Sequence, residues 1–295
     1  MTAAIEERVR CLPCWHGPVS LSPLQGGLSN TSFLVTDGDE KFVVRVGEDF
    51  PCHHVFRDRE AAASRAAFAA GVSPEVKYAE PGLLVVRFLE ARTYAEADIR
   101  ADLARVIALM QRWHRDIPKY LKGPPATFWV FHVLRDYAHT LRDGGHALSG
   151  SLPQWLSTVD QLEAAQVPLP VVFGHHDILP ANILDDGRRL WIIDWEYAGF
   201  GTAMFDLANL AVNNSLAVED ETRILETYFE RAPDGALRRA FDAMKVASGL
   251  REAMWGMVSE LHLDVAGVDY AAHAAEYLGR YETALALYRN RYGTS

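Results

Sequence analysis

Short apolar runs rich in β-branched residues open the chain at Val19 to Leu24, Thr31 to Thr36 and Phe42 to Val46. Such runs predict strands, and Asp37-Gly38 between the last two predicts a tight hairpin turn. The pattern then changes. Phe56 to Ala70 is alanine-rich and stops at Gly71, which predicts a helix with a glycine at its C-terminal end. Val76 to Tyr78 and Leu83 to Leu89 return to strand character around Pro81-Gly82. Together these segments predict a small antiparallel sheet with one helix.

Glu90-Ala91-Arg92-Thr93 marks a crossing into a second regime. Ala95 to His114 and Phe128 to Arg142 repeat their apolar positions at helical spacing, separated by a proline-rich loop from Pro118 to Pro125. Beyond Gly201 helices are expected at Ala203 to Asn213, Glu219 to Glu230, Gly235 to Leu263 and Tyr270 to Arg291. No internal repeat is present. The pattern predicts an α+β chain of two lobes, β-rich over residues 1–90 and mostly helical over residues 91–295, joined by a strand-like linker.

Within the helical half, one stretch breaks the pattern. Phe173 to Leu184 and Trp191 to Glu196 surround an Asp186-Gly187 turn with two apolar strands. They place Asp177, then Asn182 five residues later, then Asp194 a further twelve along. Loop Asp and Asn residues often only cap and turn. That explains any one of these three, but not the His-x-Asp head, the spacing and the flanking strands together. Phosphoryl transfer from a nucleotide needs this set. One carboxylate orients the attacking hydroxyl, while an amide oxygen and a second carboxylate hold magnesium on the phosphates. Asp177 is therefore the candidate base, and Asn182 and Asp194 are the candidate metal ligands. His175 is expected to brace the loop by hydrogen bonds, and His176 to face solvent.

His-His-Asp-(x)4-Asn followed by Ile-Asp-Trp-Glu resembles the aminoglycoside phosphotransferase and choline/ethanolamine kinase group, relatives of the protein kinases. The resemblance extends along most of the chain. Gln25-Gly26-Gly27-Leu28-Ser29-Asn30-Thr31 is similar to the nucleotide loop of choline kinase-like proteins, whose small residues let backbone N–H groups approach phosphate. Phe42-Val43-Val44-Arg45 resembles their third strand, and the segment from Arg59-Glu60 to Pro74 resembles the helix bearing the paired Glu. Leu84 to Leu89, with Arg87 and Leu89, resembles the hinge. The resemblance implies a two-lobed kinase-like fold with ATP in the cleft. It puts Arg45 where protein kinases carry a lysine, so that its guanidinium meets phosphate and pairs with Glu60. Neither a Walker A sequence nor a dinucleotide Gly-x-Gly-x-x-Gly is present. The chain also lacks an Ala-Pro-Glu segment after Asp194, which disfavours a protein kinase.

For the acceptor, the resemblance points to Glu196 of Asp194-Trp195-Glu196-Tyr197, whose carboxylate suits a cationic amine; a plain salt bridge is the other reading. Trp255 lies just off the stripe of Leu250, Met254, Met257 and Leu261, where it either packs or walls an ammonium by cation–π attraction. Tyr277 or Tyr281 is a candidate second wall. Two positions depart from the choline kinase pattern: Val258 replaces a second tryptophan, and Leu179 replaces a glutamine. The expected activity is an ATP- and magnesium-dependent transfer to the hydroxyl of a cationic alcohol, choline-like or ethanolamine-like. An aminoglycoside, thiamine or amine-bearing sugar kinase is the same-class rival, and a nucleotide-binding pseudokinase the rival from another class.

Bulk properties change this little. A chain of 295 residues can bury a substantial core, and a net charge of −10 disfavours nucleic acid and acidic membrane faces as partners. Cys11, Cys14 and Cys52 are too few for a disulfide framework, which points to a reducing compartment. Met1 to Glu7 lacks the basic and apolar regions of a signal peptide, so a cytoplasmic enzyme is expected.

Overall fold

A computed structural model describes residues 2–24, 30–124, 126–265 and 267–293. Helix α1 (Thr2–Arg10) precedes strands β1 (Ser20–Leu24), β2 (Thr31–Asp37) and β3 (Glu40–Val46). Helix α2 (Arg57–Ala69) follows, then β4 (Val76–Glu80) and β5 (Leu83–Arg87). The five strands form one antiparallel sheet in the order β1-β2-β3-β5-β4, with Asp37 paired to Glu40 across the expected hairpin. Because side chains alternate across a strand, the sheet has two different faces. Phe33, Val35, Phe42, Val44 and Val85 point to one face and pack under Val9 of α1 and Leu12. Val43, Arg45, Leu84 and Val86 point to the other, and line a cavity.

The remaining chain is mostly helical: α3 (Glu96–Ala101), α4 (Leu103–Asp116), α5 (Val130–Asp143), α6 (Leu152–Ala164), α7 (Ala203–Asn213), α8 (Val218–Phe229), α9 (Gly235–His262) and α10 (Tyr270–Tyr292). Its short strands are β6 (Arg92–Thr93), β7 (Val171–Gly174), β8 (Ile183–Asp185), β9 (Leu190–Ile192) and β10 (Gly199–Thr202). β6, β8 and β9 make a three-stranded sheet, and β10 pairs with β7. Helix α9 runs through the core, buried along most of its length against α5, α7 and α10. At its closest approach to α10, a Cβ on Gly256 would sit 3.0 Å from Ala274, so only glycine fits there without a shift. The buried face of α2 (Ala63, Ala66, Ala67) joins this larger core rather than the one beneath the sheet. Among the described residues no helix is long and apolar enough to cross a membrane.

Four elements differ from expectation, the first being helix α1, whose segment the pattern reading left unassigned. The helix expected over Ala95 to His114 is two helices, divided at Asp102, whose carboxylate accepts from Tyr94 Oη at 2.7 Å and from Arg105 at 2.9 Å. Helix α6 has no counterpart in the pattern reading, although Leu152, Trp155, Val159 and Leu162 recur at helical spacing and are all buried. Strand β10 is short and glycine-rich, and becomes a strand only through its pairing with β7.

Candidate active site

The site is assembled on the turns around β7, β8 and β9. Asp206, at the start of the apolar helix α7, is fully buried, and its two carboxylate oxygens accept the backbone N–H groups of His175 at 2.9 Å and His176 at 2.8 Å. His114 Nε2 lies 2.8 Å from the same carboxylate. One turn along α7, Asn209 Oδ1 accepts the Ile178 N–H at 2.7 Å. These bonds shape the loop that presents Asp177. Burial opposes the charged form of Asp206, but the His114 bond, His176 and the two backbone donors hold its carboxyl well below the usual range.

His175 is fully buried, and its Nε2 donates to the Ile193 carbonyl at 2.9 Å, tying the Asp177 loop to the residue before Asp194. That is the bracing role. His176 does not face solvent. Its ring is fully buried, stacked on Phe128 at 4.0 Å, with Nδ1 donating to the Tyr197 carbonyl at 3.0 Å. The expectation failed because His176 takes a left-handed conformation (φ 67°), folding its ring back over Gly174. A Cβ on Gly174 would lie 2.2 Å from the ring.

Asp177 lines the cavity between the sheet and the helices together with Asn182 and Asp194. The Asn182 Nδ2 donates to the Asp177 carbonyl at 3.0 Å, which commits the amide nitrogen and leaves the amide oxygen for a cation. Asp194, also left-handed (φ 73°), receives Arg45 Nη1 at 2.7 Å on one carboxylate oxygen. Burial opposes the Asp194 charge, but Arg45 outweighs it and holds the carboxyl below the ordinary range. An amide oxygen and one carboxylate fit a hard divalent cation that keeps further sites for water and phosphate oxygens. Burial, then the nearby Glu252 carboxylate, push Asp177 well above the usual carboxylate range, which makes it a stronger base than an exposed aspartate.

Arg45 also donates to Glu60, and Arg57 donates to Glu60 at 2.7 Å and to Glu196 at 2.9 Å. Two arginines thus meet three carboxylates, Glu60, Asp194 and Glu196, for a net charge of −1 before Asp177 is counted. Glu196 is therefore held in an ion-pair network with Arg57 and does not stand free at the acceptor end. Arg87 and Leu89 both border the cavity, and Arg87 bonds outward to Glu40 at 2.8 Å and Glu75 at 3.2 Å. Asn30 borders it too, with Nδ2 3.5 Å from Glu196, whereas Gly26, Gly27, Leu28 and Ser29 lie outside the described residues.

At the other end of the same cavity stand Tyr197, Trp255, His273 and Tyr277. Trp255 Nε1 donates to Tyr197 Oη at 2.9 Å, and the Tyr197 ring covers the Arg251 guanidinium at 4.5 Å. Tyr281 is not part of this wall. It is buried where α10 meets α9, its backbone near Gly249, and the wall residue is Tyr277, one helical turn earlier. Val258 is wholly buried and takes no place on the wall, while Leu179 does.

This cavity, about 720 Å³, joins a cationic and acidic cluster to an aromatic one, as transfer between two bound molecules requires. Residues 20–243 match the phosphotransferase enzyme family. The chain belongs to that family. The chain is 27% identical over 215 residues to Protein LicA of Haemophilus influenzae, a match covering 69% of this chain and 61% of LicA, less than two thirds of that relative's length. It is also 27% identical over 230 residues to a thiamine kinase of Escherichia coli O157:H7, covering 76% of this chain and 75% of that one. The solved choline/ethanolamine kinase family protein from Mesorhizobium loti shares 28% of its sequence, with a TM-score of 0.76 over 96% of this chain and 94% of that chain. The fold is the two-lobed kinase-like one.

Several residues of this site escaped the pattern reading. Asp206, Asn209 and Asn213 recur three and four residues apart on a helix that is otherwise apolar and buried. A polar stripe there must find partners inside the protein, and that is the signal by which they could have been found. Arg57, Arg251, Glu252 and His273 carry no such mark, because only tertiary packing brings the last three to the cavity and Arg57 to Glu196 beside it.

Buried imidazoles make acid stability a test of these positions. Burial, then Arg251, lowers His53 to about 3, and burial lowers His176 to about 4. In the unfolded chain both would titrate near 6.5. As pH falls below that value the unfolded state binds protons first, so the stability they contribute is complete above pH 6.5 and is lost on acidification. Each is expected to remove up to about 1.4 kcal/mol per pH unit between roughly pH 6 and 4.5. Urea unfolding at pH 7, 5.5 and 4.5 measures it; equal stability at all three contradicts neutral burial.

Proposed function

We propose that this phosphotransferase is an ATP-dependent kinase that moves the γ-phosphate to the hydroxyl of a cationic alcohol such as choline or ethanolamine. The observation carrying the reading is the single cavity in which Asp177, Asn182 and Asp194 meet Arg45 at one end and aromatic residues at the other. In the proposal, residues 1–90 form the nucleotide lobe and residues 91–295 the catalytic and acceptor lobe. Adenine would lie against Val43, Val86 and Leu89, with Arg45 and the loop from Gly26 to Asn30 meeting the phosphates. Asp177 would accept the proton of the acceptor hydroxyl as its oxygen attacks phosphorus in line, and the bond to the departing ADP would break. Magnesium, held by Asn182 and Asp194, would neutralise charge on the phosphates. Asp206 and His175 act indirectly, by fixing the loop.

Thiamine, itself a cationic alcohol, is a second acceptor, favoured by the thiamine kinase relatives. An aminoglycoside acceptor would use the same nucleotide machinery. The intact set of Asp177, Asn182 and Asp194 argues against a pseudokinase. A cytoplasmic setting, where ATP is supplied, belongs to the same proposal. The test is ADP release by purified protein with ATP and magnesium against choline, ethanolamine, thiamine and aminoglycosides. Acceptor-dependent release with one of the first three supports the reading, and release with none of them overturns it.

A further inference from the structure

The acceptor end of the cavity has hydrogen-bonding features that a quaternary ammonium cannot use. Glu196, the carboxylate first expected there, is bonded to Arg57 at 2.9 Å. The carboxylate that lines the acceptor end is Glu252, on α9. Its Oε1 accepts from Arg251 Nη1, while its Oε2 makes no hydrogen bond among the described residues. On α10, His273 lines the same wall, and its Nε2 has no hydrogen-bond partner among the described residues. Burial holds the His273 imidazole below its ordinary value, so it is neutral near pH 7 and keeps an acceptor nitrogen.

The aromatic groups give a complementary indication. A trimethylammonium group needs open ring faces around it. One face of Trp255 is taken by His53, stacked at 5.2 Å and 29° between planes. Tyr270 at 5.9 Å and His273 at 5.3 Å meet the same indole at steep angles. The other residue that could have supplied an indole face is Val258, which is buried in the core. Charge agrees as well: Arg251, Glu252 and Asp177 sum to −1, which one ammonium neutralises.

Resting on the cationic-alcohol reading, we propose that Glu252 and His273 select an acceptor whose ammonium retains N–H bonds, a primary amino alcohol before a quaternary one. Glu252 Oε2 takes one N–H as a charge-assisted bond, and His273 takes a second. Each methyl added to nitrogen removes a donor and leaves a buried acceptor unmatched.

The test is kcat/KM at saturating ATP for 2-aminoethanol and its N-methyl, N,N-dimethyl and N,N,N-trimethyl forms. The value is expected to fall along the series by about a hundred-fold or more, as in sites built to bond a substrate N–H. Glu252→Gln and His273→Phe should each raise the KM for 2-aminoethanol and flatten the series, leaving the KM for ATP unchanged. Glu252→Asp, which keeps the charge, should retain part of the preference. Equal or better turnover of the trimethyl compound overturns the inference and leaves the kinase reading standing. Variants that keep the full preference overturn the residue assignment. No turnover with any of the four, nor with thiamine, overturns the kinase reading and this inference with it.

Discussion

Asp177→Asn is expected to lower kcat by roughly 10²–10⁴-fold, the usual contribution of a positioned general base. The substitution keeps the shape of the side chain, and its Oδ1 can still face the incoming hydroxyl. What it loses is the ability to take the proton, for which burial and Glu252 have raised the basicity of Asp177. Asn182 Nδ2 donates to the Asp177 carbonyl at 3.0 Å and only at 3.4 Å to its side-chain Oδ2, so the shorter backbone bond should keep the loop on its course. Nucleotide affinity should therefore change little, because Arg45 and the sheet face are untouched. Steady-state kinetics with a separate nucleotide titration checks both halves. A kcat within about three-fold of the parent would remove Asp177 from the chemistry, since no general base contributes so little.

The second large effect is expected at a residue that touches no substrate. Asp206→Ala strips acceptors from the N–H groups of His175 and His176 and from His114 Nε2, all inside the protein. Removing one partner of a buried charged network costs about 3–5 kcal/mol, because the donors left behind cannot reach water. Stability should fall by that order and activity with it, as the loop bearing Asp177 loses its anchor. Asp206→Asn keeps one acceptor oxygen and should lose less on both counts. Urea unfolding of the parent and the two variants measures this. An alanine variant with the parent's midpoint would mean that the loop is held by something else.

The contrast between these two residues shows what the sequence makes legible. Asp177, Asn182 and Asp194 stand out because they sit in short loops between strands, where local spacing is fixed by the hairpin around Asp186-Gly187. Arg45 is legible through strand alternation: the β3 register that buries Phe42 and Val44 turns Val43 and Arg45 to the cavity. Glu196 stands out in the sequence as a carboxylate suited to an acceptor, but its partner Arg57 comes from the start of α2, some 139 residues away in sequence. No local pattern signals such a pairing. His176 misled for a related reason. A histidine in a polar loop normally points outward, and here a positive φ and a glycine two residues earlier let it fold inward.

The last helix shows the limit of periodicity. Helical spacing places Tyr277 and Tyr281 on one face of α10, four residues apart, and does not tell which of them reaches the cavity. The crossing of α10 over α9 at Gly256 decides it, by setting how far each helix slides along the other. The division of the chain into a strand-rich and a helix-rich part was plain from the change in spacing of its apolar positions. The partner of α2 was not. Its alanine face packs on the helical core although it lies among the strands in sequence, so the paired Glu60 is carried between the two cores.

The central claim is that acidic and amide groups converge in one cleft so that a small amino alcohol is phosphorylated on its hydroxyl. Phosphorus NMR of purified protein incubated with ATP, magnesium and 2-aminoethanol tests it most directly. The account predicts a new phosphomonoester resonance growing in step with ADP, slowed about a hundred-fold or more with Asp177→Asn and absent without the acceptor. ADP formed at the same rate with and without any amino alcohol or thiamine, with inorganic phosphate as the only new signal, would contradict it.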